Sequence, residues 1–388
     1  FDYVVVGAGA AGSVVASRLT ENLDVTVLVL EAGGPDDDER IYRPALFRRL
    51  IKSPVDWNFL TEREPHLNQR EIPWPRGKVW GGSGSITAMV YVRGHPRDFD
   101  HWEELGNDGW GYEDILPYFI KAENQERGPS KYHGVGGPQN VADPRWVPPI
   151  SLAFLEAAQE SGLPKNEDFN GEKQEGAGFY QLNQKNGERH SAAAAYLRPA
   201  LRRENLTVRS HALVNKILFE GRRAVGVQYS SDQTEHEVRA TREVILCAGA
   251  IGSPQLLMLS GVGPAEHLKS LGIEVTHDLP GVGHNLQDHP RAAVTFQSKK
   301  ALGFDQEPAA REYNASRKGP LSSNGIGVGA FVKTFDEAPL PDIQIFLTAS
   351  PRDTFSVHAA LMRPESRGRI RLRSKDIADA PIILSLIH

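Results

Sequence analysis

The chain has 388 residues, 40% of them hydrophobic and 24% charged, with a formal charge of −5. These are the proportions of a folded protein long enough for two cores rather than of a disordered chain, and they offer no general attraction to nucleic acid or to an anionic membrane surface. No run reaches the roughly 18 apolar residues that cross a bilayer. The single cysteine, Cys247, cannot form an intrachain disulfide and fits a cytoplasmic setting, while the opening on Phe1 rather than Met leads us to expect residues upstream.

The first informative stretch is the opening. An apolar strand, Val4 to Val6, runs into Gly7-Ala8-Gly9-Ala10-Ala11-Gly12, a helical run and a second strand, Val25 to Leu30, closed by Glu31. Gly7 suits the tight turn, Gly9 lets backbone amides approach a pyrophosphate, and Gly12 lets the helix lie close to the sheet. Glu31, nineteen residues past Gly12, is placed to accept hydrogen bonds from ribose hydroxyls. A dinucleotide is predicted; the motif alone does not choose between FAD and NAD.

Residues 32–74 read as a covering excursion, with Trp57 in its middle. Then come four glycines in eight residues, Gly77 to Gly84, flanked by Arg76, Lys78 and Trp80, a loop whose amides can face something flat or anionic. Two helices are predicted within Asp98 to Asn124, broken between Gly106 and Gly111, and a third from Ser151, read as its cap, to Ser161. Gly176 to Gln184 reads as a strand, and Ser191 as the cap of the run Ala192 to Leu197.

Four short runs, Leu206 to Ser210, Val214 to Glu220, Ala224 to Ser230 and Glu235 to Ala240, suggest an antiparallel meander. Glu243 to Cys247 is a buried strand that resumes the sheet begun at residue 1, with Pro254 expected near the first position of the helix after it. Val328 to Lys333, Ile343 to Thr348, His358 to Arg363 and Arg369 to Leu372 alternate like strands of a second sheet. Single histidines have ordinary explanations: His95, His101 and His133 as surface or packing residues, His289 as a structural hydrogen-bonding group. No metal spacing is present.

Taken together, Val5 to Gly12, Pro75-Arg76-Gly77-Lys78 with Gly81-Gly82-Ser83, Gly249 to Pro264, and Val282 to His289 resemble the glucose-methanol-choline family of FAD oxidoreductases, most of all its choline and aliphatic alcohol dehydrogenase branch. The resemblance implies an α/β fold. A Rossmann-like FAD-binding domain would comprise residues 1–150 and 205–290 with the covering loop. A substrate domain on an antiparallel sheet, incomplete here, would comprise 151–204 and 291–388.

The resemblance also implies FAD held by Gly7, Ala8, Gly9, Ala10, Gly12, Glu31 and Ala32, with Trp57, Arg76, Gly82, Ser83, Thr87, Ala88, Met89 and Val90 along the diphosphate and isoalloxazine. Val214, Ala248 and Gly249 would complete the site. Thr87 stands where the family usually has Asn. Ile86 stands where members with covalent flavin have His, so non-covalent FAD is expected.

The implied reaction takes a small primary alcohol to an aldehyde, with a His accepting the alcohol proton as hydride passes to flavin N5 and with oxygen, a quinone or another acceptor taking the electrons. The catalytic His and its His or Asn partner are expected beyond His388, so no catalytic residue is assigned. Light-driven fatty acid decarboxylation is disfavoured by Met362, which stands before Arg363-Pro364 where that branch has Cys. Hydroxynitrile lyase chemistry stays open, as does an inactive FAD-binding or partner-binding protein if the chain truly ends here.

Overall fold

The computed structural model describes residues 1–335, 337–350 and 353–384. The chain opens with β1 (Tyr3–Val6), α1 (Ala10–Leu19) and β2 (Val27–Leu30). Val4, Val5 and every residue of β2 are buried, as a parallel strand covered on both faces requires. Gly7 turns the chain at φ +97°, and Gly12 lies so close that a Cβ there would sit 1.9 Å from the Gly7 carbonyl oxygen.

The covering excursion has no long element. It is made of short helical turns at Glu39–Tyr42 and Pro44–Arg49 and a two-residue strand pair, Phe59–Leu60 with Pro73–Trp74. Asp56 organises its middle: Oδ1 accepts from the Asn58 and Arg76 amides and Oδ2 from that of Lys52. Beyond it lie α2 (Pro96–Glu104) and α3 (Tyr112–Ala122), matching the predicted pair.

The helix α4 (Pro149–Glu160) corrects an expectation, since Ser151 is buried inside it rather than capping it. Pro149 takes the first position instead, where its fixed φ suits a helix start and its missing N–H is no loss. The long strand predicted from Gly176 breaks into β3 (Gly176–Phe179) and short pieces at Gln181–Leu182 and Gln184–Lys185. Ser191 does act as a cap, its Oγ accepting from the Ala194 amide at 3.3 Å ahead of a π-helical turn, Ala193–Leu197.

The meander of four is a meander of three. β4 (Leu206–Arg209) lies parallel to β2, where Leu206 joins the core of Val27 and Val29. Only β5 (Leu213–Glu220), β6 (Arg223–Ser231) and β7 (Thr234–Arg239) form the antiparallel sheet. β8 (Glu243–Leu246) then pairs with β1, completing a parallel sheet in the order β4-β2-β1-β8. The helix after it, α5 (Gly249–Leu259), starts earlier than expected and puts Pro254 inside. The strand ends at Leu246, so the glycine-bearing turn is already the first turn of helix.

The second sheet has five strands in the order β9-β12-β11-β10-β3, with β9 (Arg291–Gln297), β10 (Val328–Val332), β11 (Ile343–Ser350) and β12 (Thr354–Leu361) antiparallel throughout. Arg369 to Leu372 does not join it. β13 (Arg369–Arg371) pairs with β14 (Ile382–Leu384), and Ile370, Leu372 and Ile383 pack against Met258 and Leu259 of α5 in one core with Phe59 and Trp74. That apolar surface is what draws the segment back to the first half of the molecule. Among the described residues no helix is long and apolar enough to cross a membrane.

Candidate cofactor cleft

At the carboxyl ends of β1, β2 and β8 lies a cleft of about 500 Å³. Two helix starts face it. Gly9 precedes α1 and Ala248 precedes α5, neither helix has a side-chain cap, and Gly9, Ala10, Ala248 and Gly249 all line the cleft. Unpaired N–H groups and the positive ends of two helix dipoles therefore converge on one space, which favours an anion. A Cβ on Gly9 would meet nothing closer than 3.9 Å, so a side chain there would project into the cradle itself.

Glu31 also lines the cleft, and its carboxylate has a second task that the motif does not reveal. Oε2 accepts from the Ala8 amide and Oε1 from the Gly33 amide, both at 2.8 Å. Burial raises its pKa against the pull of those two hydrogen bonds. Two acceptor directions per oxygen leave lone pairs for hydroxyl groups.

The second glycine loop is pressed against the first, a Cβ at Gly82 falling 2.9 Å from Gly9 Cα. Ser83 Oγ accepts from the Gly77 amide, closing that loop on itself. Arg76, Gly82, Ser83, Ala32, Trp57 and Val214 line the cleft with the residues already named, as does Gly7. Lys78 Nζ sits 4.6 Å from the centre of the Trp57 ring, and burial depresses the pKa of Arg76.

Several expected residues do not reach the lining. Ala8 is fully buried and acts through its amide, and Gly12 acts through helix packing. Thr87, Ala88, Met89 and Val90 also fall outside, because the chain leaves the cleft at Gly84 through a turn over Gly82–Ser85, with the Thr87 amide donating to the Ser83 carbonyl. Val90 pairs with Leu182 and joins the cluster of Phe331 and Phe346, so the end of this run faces the five-stranded sheet.

Other lining residues were missed by sequence reasoning: Phe59, Ser253, Gln255 and Ile377. Ser253 and Gln255 were within reach, since they follow the Gly249 turn. Ile377 was not, because it comes from a distant segment held by Gln255, whose Nε2 donates to the Ile377 and Asp379 carbonyls.

Among the described residues no histidine lines the cleft. His95 caps α2 by accepting from the Arg97 amide, and His289 is exposed. His133 is not a surface residue. It is buried between Glu123 and Asp168, 2.9 and 2.8 Å away, with Arg93 on the far side of Glu123 at 3.0 Å. Burial opposes its charge, but the two carboxylates outweigh that and raise its pKa to about 9. Arg363 is occupied by Asp98 and the Pro341 carbonyl. His388 lies outside the described residues.

A parallel sheet with two uncapped helix starts, a strand-end acid and a second glycine loop on one cleft defines a dinucleotide-binding protein. The chain belongs to the GMC oxidoreductase family, whose model matches residues 1–291. It is 44% identical to an oxygen-dependent choline dehydrogenase of Pectobacterium carotovorum, over 99% of this chain and 73% of that protein. Against human mitochondrial choline dehydrogenase it is 42% identical, over 99% and 69%. Its fold superposes on pyridoxine 4-oxidase from Mesorbium loti with a TM-score of 0.91 at 32% identity, over all of this chain and 76% of that one. It is thus an FAD-dependent oxidoreductase that acts on CH–OH donors.

Proposed function

We propose that the cleft holds FAD non-covalently and serves oxidation of a small primary alcohol to its aldehyde. The observation that carries this is the convergence of both helix starts and Glu31 on one space. The amides at Gly9 and Gly249 would hold the diphosphate, Glu31 the adenosine ribose, Val214 the adenine through its backbone, and Arg76, Gly82 and Ser83 the diphosphate and flavin. FAD supplies the two-electron acceptor for the alcohol's hydride. Ile86 is an aliphatic side chain buried with Ile41, Leu50 and Val79, which supports the non-covalent reading.

The chain's own part is to orient and to exclude water. Trp57 and Phe59, stacked at 5.7 Å, wall the cleft on the side of the covering segment. We assign residues 1–150 and 205–290 to the cofactor side, with 193–200 and 368–384 sharing its cores, and the rest of 151–204 and 291–367 to the substrate side. The acceptor is oxygen, a quinone or another acceptor, and the single cysteine, Cys247, is compatible with a cytoplasmic residence.

Choline, named for the relatives, is the first candidate substrate.

The test is an anaerobic absorbance spectrum of the purified protein during additions of choline, then of medium-chain primary alcohols. Bleaching of bound flavin by an alcohol is expected. Bound flavin that none of them reduces favours decarboxylase, lyase or binding roles, and absence of flavin removes the cofactor reading.

A further inference from the structure

Arg189 ends a short hairpin in which Gln184–Lys185 pairs with Glu188–Arg189. Its side chain runs into the interior, and the residue is 2% exposed. Nε donates to the Ile41 carbonyl at 2.8 Å and Nη1 to the Gly84 carbonyl at 2.9 Å. Nη2 is buried and has no partner among the described residues. No carboxylate there pairs with it either, since the adjacent Glu188 is taken by Arg317. Burial alone pulls its pKa down to about 9.

Leaving a guanidinium charged and unpaired in the interior is strongly unfavourable, and an aliphatic side chain of the same length would avoid that penalty. What the position gives in return is a connection. Ile41 belongs to the covering segment, Gly84 to the second glycine loop, and Gly84 lines the cleft. Among the described residues no other side chain donates to carbonyls of both segments. The charge therefore lies behind the cleft wall at Gly84.

We propose that Arg189 is a positioning residue with two separable tasks: its fork fastens the covering segment to the glycine loop, and its charge, set behind that loop, favours the anionic cofactor. The inference rests on the FAD reading of the cleft. Arg offers donors at separate points of a rigid planar fork, which suits two carbonyls on different segments, whereas Lys offers one compact ammonium and Met no donor.

The experiment compares the full protein with Arg189→Met and Arg189→Lys, by FAD titration and by limited proteolysis within residues 32–74 at saturating FAD. Expected for Arg189→Met are at least tenfold weaker FAD binding and at least tenfold faster cutting of the cover. Arg189→Lys, which keeps the charge and loses the fork, should bind FAD within about threefold of wild type while its cover is still cut faster. Wild-type affinity and cutting rate in Arg189→Met overturn the proposal, as does a Lys variant no better than Met at holding FAD. If the Met variant does not fold, a Lys variant with the wild-type cutting rate overturns it alone. A wild-type protein that fails to bind FAD removes the cleft reading instead, so the two failures are separable.

Discussion

The cofactor cleft and the region between residues 93 and 181 solve the problem of buried polarity in opposite ways. Around the cofactor cleft the chain uses backbone: glycines without Cβ atoms, open helix starts, and one carboxylate spent on two amides. Between residues 93 and 181 it uses side chains, with Arg93, Glu123, His133 and Asp168 forming a buried ionic chain flanked by Gln125 and Gln181. Backbone sites tolerate almost no added volume. Side-chain networks tolerate volume poorly too, but respond above all to proton concentration.

The sharpest break of this contrast is expected at Gly12. A Gly12→Ala substitution forces a methyl into the Gly7 carbonyl, so the turn must move, at about 3 kcal/mol of stability or more, with loss of bound flavin. Thermal unfolding and the flavin-to-protein absorbance ratio measure both, and an Ala variant with flavin and midpoint unchanged would show that helix and turn can separate freely.

In the ionic chain the lever is pH. His133 has its folded pKa raised to about 9, so its stabilisation is fully present below about pH 6.5 and is lost as pH rises through 9. The loss is on the order of 3 kcal/mol. Denaturant midpoints between pH 6 and 10 should fall for the wild type and run flatter for His133→Gln. Parallel curves would mean that the ionic chain is not coupled to folding.

A smaller effect is expected from Glu31→Gln, about 2 kcal/mol, because an amide group replaces one of two acceptors facing buried N–H groups. The sign of its pH dependence is opposite to that of an exposed acid. With the folded pKa raised, the carboxyl weakens the fold as pH rises from its ordinary value to the raised one, and the Gln variant should lack that slope. The smallest change is Ser191→Ala, about 1 kcal/mol from a lost cap, read as a shift of the thermal midpoint without loss of flavin.

How much of this was legible followed the same division. The parallel strands β1, β2 and β8 announce themselves as unbroken apolar runs, and the turns after β1 and β8 as glycine clusters. The run of β4 looked like its neighbours in the meander because four residues, Leu206 to Arg209, carry too little pattern to choose a partner. The edge strand β9 is exposed along its length, so no alternation marks it. In the site, Gly9 and Glu31 were readable from spacing and Arg76 from its glycine-rich loop and the family resemblance, whereas Arg189 and the burial of His133 depend on residues brought together across the chain.

The pairing of β1 with β8, Tyr3 beside Glu243, also sets a timetable. At roughly 5 to 20 residues per second, a ribosome that has made β1 needs on the order of 12 to 50 s to deliver its partner. For that interval the opening turn has only one of its two flanking walls, and a nucleotide arriving early finds half a cradle. Completion of the site is therefore a late event in the life of the nascent chain, and loss of β8 would leave intact the motif that announces the cofactor while removing half of what holds it.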